Sequence, residues 1–139
     1  MHMLYSQGCL GLIVKIMENS KIEWTHDTGN IWWGCHEISE GCDFCYAKVL
    51  DHRWNGNHWG LENPRRATVG VWKDFIKWQK QAKELGVYRR VFVGSMMDIA
   101  EKSMPVVDSK GNLISDLNTG MLRDRFYNEV VPACPNLIF

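Results

Sequence analysis

The amino-acid sequence predicts an α/β fold in which parallel β-strands alternate with amphipathic α-helices. Apolar residues recur at intervals of three and four positions in three segments, which is typical of helices with one buried face. The apolar, β-branched run 91–94 has the length of a strand buried in a parallel sheet. The predicted order is strand, helix, helix, strand, helix, strand, and such alternation favours parallel βα units. At 139 residues and 45% apolar content, the chain has the size of one domain and can form a core.

The first elements of the predicted fold flank a cluster of cysteines. Residues 22–33 are rich in Trp, Ile and Thr and predict a short strand, with a turn at 27–30, that leads into the cysteine loop. Helical spacing over 44–54 predicts a helix, and the following Asn and Gly residues end it. Residues 55–69 carry Gly, Asn and Pro and predict a loop.

The later elements repeat the helix and strand pattern. Residues 71–85 carry an apolar stripe at helical spacing, which predicts a core helix that stops at Gly86. Strand 91–94 follows, and then a long polar loop. Thr119 can cap a third helix, in which every fourth residue is apolar. Residues 136–139 predict the opening of another strand, so we expect a C-terminally truncated piece of a larger α/β protein.

The two ends of the chain differ in style. Residues 1–16 match nothing that follows, and we expect them to be a disordered N-terminal extension, with Met17 as an alternative start. Residues 17–139 are expected to form the folded domain that carries the cysteine loop.

The net charge of the chain gives no indication of a nucleic-acid or membrane partner. Lys+Arg and Asp+Glu are 16 each, so the net charge is zero and does not indicate binding to nucleic acid or to a membrane surface. The pairs Arg65-Arg66 and Arg89-Arg90 are predicted to be solvated. No segment reaches the ~18 apolar residues of a membrane span, and no signal peptide is recognisable. We therefore expect a cytoplasmic protein, in which closely spaced cysteines favour metal or redox chemistry over disulfides.

The cysteine loop is the strongest functional signal. Cys35, Cys42 and Cys45 are separated by six and by two residues. Thiolates are soft ligands, which favours zinc, copper(I) or an iron–sulfur cluster. Structural zinc needs a fourth ligand, and the sequence offers His36, His52, His58 and Cys134.

The metal alternatives imply different functions. A zinc module would contact nucleic acid or a protein partner, although Glu37, Glu40 and Asp43 in the loop disfavour nucleic acid. A 4Fe–4S cluster held by three thiolates would instead leave one iron open for chemistry.

Two resemblances bear on this choice. The segment Cys42-Asp43-Phe44-Cys45 resembles the cluster motif of radical S-adenosylmethionine enzymes, which commonly has three residues in the first gap. From Lys21 onward the chain resembles a phage and prophage family named for phage gene products thirty-seven and sixty-eight. The matching blocks, in order, are Ile22-Glu23-Trp24-Thr25, Gly34-Cys35, Ser39 to Ala47 and Arg90 to Asp98.

The resemblances imply a fold and a cofactor set. They imply the first part of a partial TIM barrel of the radical S-adenosylmethionine type, with a 4Fe–4S cluster, S-adenosylmethionine and an unknown substrate. Ser95 and Asp98 would then lie at the mouth of the barrel and bind the amino acid moiety of the cofactor, while Phe44 and Tyr46 would pack its adenine. The alternatives are that Asp98 caps a turn and that the two aromatic residues belong to the core.

Overall fold

The computed structural model describes residues 23–139, and the predictions for residues 1–16 and Met17 lie outside this range. The strands are β1 Asp27–Gly29, β2 Trp32–Trp33, β3 Arg65–Ala67, β4 Arg89–Val93, β5 Pro105–Val107, β6 Leu113–Asn118 and β7 Leu137–Ile138. The helices are a 3-10 turn Glu40–Cys42, α1 Tyr46–Arg53, α2 Val71–Leu85 and α3 Thr119–Arg125, which continues through a π-helical turn Phe126–Val130 into α4 Val131–Ala133.

A three-stranded parallel sheet contributes Val91 and Leu137 to the main core. Its order is β1-β4-β7, and Val91 in the central strand lies opposite Asp27 of β1. Helix α2 packs on this sheet through Phe75, which is completely buried. A Cβ atom at Gly29 of β1 would lie 2.8 Å from the Phe75 ring, so the absence of a side chain at this position lets the helix approach the strand.

A second, four-stranded sheet has the order β2-β3-β5-β6. It is mixed, because β3 pairs with β5 in parallel while the β2–β3 and β5–β6 pairs are antiparallel. Trp32 of β2 and Val106 of β5 are both completely buried and join the same core as Phe75. One hydrophobic core therefore serves both sheets.

The predicted fold class is wrong. Within residues 23–139 the chain forms two small sheets, one of them mixed, and shows neither repeated parallel βα units nor closure of a barrel. The physical reason lies in β3, β5 and β6, none of which the sequence predicts as a strand. These strands are short or largely exposed on one side, so they lack the apolar run that marks a buried parallel strand.

Helical periodicity is the best guide to the observed elements. Helix α2 has the predicted bounds, and Gly86 takes the left-handed conformation, with φ 64°, that ends a helix. The predicted cap of the third helix, Thr119, is wrong: Thr119 is the first residue of the helix, and the side chain of Asn118 provides the cap by accepting a hydrogen bond from the Met121 N–H. The turn predicted at 27–30 is wrong, since Asp27–Gly29 is a buried parallel strand.

The helices of the described part of the chain are too short or too polar to cross a membrane.

Candidate functional site

The cysteine loop begins against the segment that follows β4. Gly34 donates its backbone N–H to the Met96 carbonyl (2.9 Å) and forms a parallel bridge with Met97. Its φ of 126° lies in the left-handed region, and a Cβ atom there would lie 2.3 Å from the His58 carbonyl oxygen. Only glycine fits both constraints. Cys35 therefore lies next to the segment that follows β4.

Asn30 fastens the ends of β1 and β4 together. Its side-chain amide donates to the Ser95 hydroxyl at 2.8 Å, and its carbonyl oxygen accepts from the Met96 N–H at 2.9 Å. The structure thus gives Ser95 a contact within the protein, and its predicted contact with the amino acid moiety of S-adenosylmethionine stays a prediction.

Asp98 combines a turn cap with an electrostatic effect on the cysteine loop. Its Oδ1 accepts a hydrogen bond from the Ala100 N–H at 2.9 Å, which confirms the turn-capping interpretation. Burial raises the pKa of the Cys35 thiol, and the negative charges of Glu101 and Asp98 act in the same direction. Both carboxylates therefore lie close enough to the loop to influence its chemistry.

The three loop cysteines are free thiols with different environments. Cys35 and Cys45 pack against one small apolar cluster, formed by Ala47, Trp59 and Met96. Cys42 ends the 3-10 turn, where hydrogen bonds from the backbone of Ile38 and Ser39 lower its pKa. The Cys42 thiol is therefore more readily ionised than the Cys35 thiol, and the thiolate is the form that binds metals.

The loop as it stands is not a closed metal cage. Among residues 23–139, no three His, Cys, Asp or Glu side chains lie close enough together to hold one metal ion. The donor set still fits a thiolate-bound metal, because all three thiols are unpaired and two of them share one apolar cluster. A metal held by all three would draw the segment from Cys42 to Cys45 toward Cys35.

The two predicted aromatic residues lie on the surface. Phe44 is 97% exposed and Tyr46 is 62% exposed, so the core interpretation of both is wrong. Together with Val49, Leu50 and Arg53 they line a shallow groove of about 370 Å³ on the outer side of α1. Packing of adenine by Phe44 and Tyr46 stays a prediction.

A buried ion pair that the sequence did not indicate lies beneath the cysteine loop. Arg65 is completely buried and binds Glu101 through both carboxylate oxygens, at 2.9 and 3.0 Å. Its remaining nitrogen donates to three carbonyl oxygens of the loop after α1, which belong to His58, Gly60 and Asn63. The prediction that Arg65 is solvated is therefore wrong. Neighbouring side chains in a strand point to opposite faces, so one member of an Arg-Arg pair in a strand is expected to point inward. This alternation is the sequence signal that could have indicated the burial of Arg65.

A second acidic residue, Asp51, binds the loop that follows α1. It is buried in α1 and accepts a hydrogen bond from the His58 N–H at 3.0 Å, while its other oxygen lies 2.7 Å from His58 Nδ1. The loop after α1, helix α1 and the start of the cysteine loop together line an open cleft of about 400 Å³ that the sequence did not indicate. It is lined by His36, Glu37, Lys48, His52, Asn57, Trp59, Gly60, Leu61, Glu62 and Asn63.

The fold and the loop define a small α/β protein with three free cysteines beside the end of a parallel sheet. The family model described as protein of unknown function DUF5131 matches residues 19–117, and the chain belongs to this family. No curated protein and no solved structure matches the chain.

Proposed function

We propose that this protein binds an iron–sulfur cluster through Cys35, Cys42 and Cys45. The observation that carries the proposal is that three free thiols lie in one loop, which Gly34 anchors to the segment after β4. Soft thiolates are the ligands that iron–sulfur clusters require. In the cytoplasm, where we place the protein, these thiols would stay reduced.

The resemblance of the loop to radical S-adenosylmethionine enzymes supports a specific chemistry. A cluster held by three thiolates and reduced by an external one-electron donor would supply that electron and an open coordination position for reductive cleavage of S-adenosylmethionine, and the substrate is unknown. Within this chain, packing against Ala47, Trp59 and Met96 would partly shield Cys35 and Cys45 from water. The resemblance to the phage and prophage family supports a phage-associated role.

Zinc is the second candidate, and His58 favours it. The backbone of His58 packs against Gly34, the residue before Cys35, and its Nδ1 is paired with buried Asp51. A carboxylate that orients a histidine in this way is common behind metal-bound histidines. His58 is therefore the histidine that we propose as the fourth ligand of a structural zinc, in a module that would contact a protein partner.

Anaerobic reconstitution with iron and sulfide, followed by metal analysis and visible spectroscopy, tests the proposal. We expect about four irons per chain and a broad visible absorption. Cys42→Ala should lose both. Cys134→Ala is the matched control, because Cys134 is buried in the main core and should not affect iron content.

The same samples separate the two metals. Iron retained in full by Cys42→Ala would contradict the cluster. One tightly held zinc per chain that is lost in His58→Ala would establish the zinc module instead.

A further inference from the structure

The cleft beside the cysteine loop has the size and the fixed walls of a small-molecule site. Its volume of about 400 Å³ falls within the range of roughly 300–1,000 Å³ that is typical of ligand pockets. Gly60 in its wall donates to the Cys35 carbonyl at 2.8 Å, and the Asn63 side chain binds the Trp59 carbonyl. Arg65 holds the carbonyls of Gly60 and Asn63 from beneath. The cleft is therefore formed before any ligand arrives.

The polar groups in the cleft suit a molecule rather than a single ion. His36, His52, Glu37 and Glu62 all line it. Within residues 23–139, however, no three such groups converge closely enough to hold a metal ion. Donors and acceptors spread around a cavity can instead bind different parts of one organic ligand.

The charges of the residues that line the cleft favour a ligand of one sign of charge. Lys48 is the one Lys or Arg among the described lining residues, and it is bound to Glu37, so these two charges offset each other. Glu62 makes no ion pair with another described residue. One carboxylate is thus left without a cation. A phosphate or carboxylate ligand would meet this uncompensated negative charge, whereas a cation would pair with it.

The aromatic lining suits a cation as well. Trp59 lines the cleft and is held in place by its packing with Ala47 and Met96. Indole is the strongest cation–π partner among the side chains. We propose that the cleft binds a small organic cation with a guanidinium or ammonium group, with Glu62 as the charge partner and Trp59 as the aromatic wall. This inference does not depend on the proposed metal.

Isothermal titration of the metal-free full chain with agmatine, which carries one guanidinium and one ammonium, tests the inference. Glu62→Gln keeps the shape of the side chain and removes its charge, and we expect it to weaken binding about tenfold. Lys48→Met should strengthen binding several-fold, because it frees the Glu37 carboxylate for the ligand. Glu84→Gln, on the exposed face of α2, is the matched control and should bind agmatine as the wild type does.

Glu62→Gln should weaken binding, whereas Lys48→Met should strengthen it. A folding defect would weaken binding in both variants, so it would not produce this result. The inference is wrong if agmatine does not bind at concentrations up to about 10 mM, which would fill most of a site with a Kd of about 1 mM. It is equally wrong if inorganic phosphate binds as tightly as agmatine, or if Glu62→Gln and Glu84→Gln bind agmatine alike. Since no iron is present, failure here leaves the cluster proposal to its own experiment.

Discussion

Two buried arginine–carboxylate pairs lie in different regions of this protein, and they differ in how well they are satisfied. Arg65 and Glu101 lie under the cysteine loop, while Arg89 and Asp27 join neighbouring strands of the parallel sheet. Both arginines are fully buried or nearly so. Each belongs to an Arg-Arg pair of which the strand turns one member inward.

The pair under the cysteine loop is fully engaged. Arg65 makes five hydrogen bonds, two to Glu101 and three to carbonyl oxygens. These contacts offset the cost of removing the guanidinium from water. The loop after α1, which lines the cleft, is therefore held by hydrogen bonds to the Arg65 guanidinium.

The pair in the parallel sheet is close but poorly bonded. Arg89 Nη2 lies 2.6 Å from Asp27 Oδ2. Even so, within the described residues both Asp27 oxygens and two Arg89 nitrogens lack a hydrogen bond of good geometry. Burial accordingly raises the pKa of Asp27 to about 6, against the opposing effect of Arg89, and it lowers the pKa of Arg89. At a similar separation, the two pairs therefore differ in their hydrogen bonds: Arg65 makes five, whereas four buried atoms of the Arg89–Asp27 pair lack one within the described residues.

The largest effect should come from breaking the engaged pair. Arg65→Ala leaves Glu101 buried without a cation and releases three carbonyls, so we expect the free energy of unfolding to fall by about 3–5 kcal/mol. Urea denaturation measures it. Arg66→Ala is the matched control, because Arg66 contacts only the face of Trp33 among the contacts described for its side chain and should cost about 1 kcal/mol or less. Similar losses in both variants would contradict the role of Arg65.

A smaller effect should come from the glycine at the entrance to the loop. Gly34→Ala places a Cβ atom 2.3 Å from the His58 carbonyl oxygen and 2.6 Å from Arg65 Cδ, at a φ that alanine disfavours. We expect a loss of about 1–3 kcal/mol in urea denaturation. Gly70→Ala serves as the control, since nothing lies within 4 Å of its Cβ position and its φ is −71°. A neutral Gly34→Ala would show that the loop entrance is loose.

The smallest effect should be a pH dependence from the poorly bonded pair. The pKa of Asp27 rises from 3.8 to about 6 on folding, so between these values the folded state binds more protons than the unfolded state. The contribution of Asp27 to stability therefore falls as pH rises from about 4 to 6 and is constant above that range. Denaturation of wild type and Asp27→Asn across this range should show the wild-type advantage shrinking with pH. An advantage that grows with pH would mean that the effect of Arg89 outweighs that of burial and holds the pKa of Asp27 below its ordinary value.

Local sequence patterns predicted helix α2 and strand β4. The bounds of α2 and the left-handed Gly86 follow from helical spacing and from glycine's freedom at positive φ. The strand at β4 and the group of three cysteines were also visible in the sequence. Short strands such as β3 were not, because three residues are too few to show a period.

The sequence by itself determined the helices of the core and the presence of three closely spaced cysteines, since both depend on residues that are neighbours along the chain. Only the tertiary structure decided that Arg65 is buried, that Phe44 is exposed and that a cleft lies beside the cysteines. Arg65 and Glu101 are 36 positions apart, and Asn30 and Ser95 are 65 positions apart. Burial and site geometry of this kind depend on pairings between distant residues, and no local period encodes them.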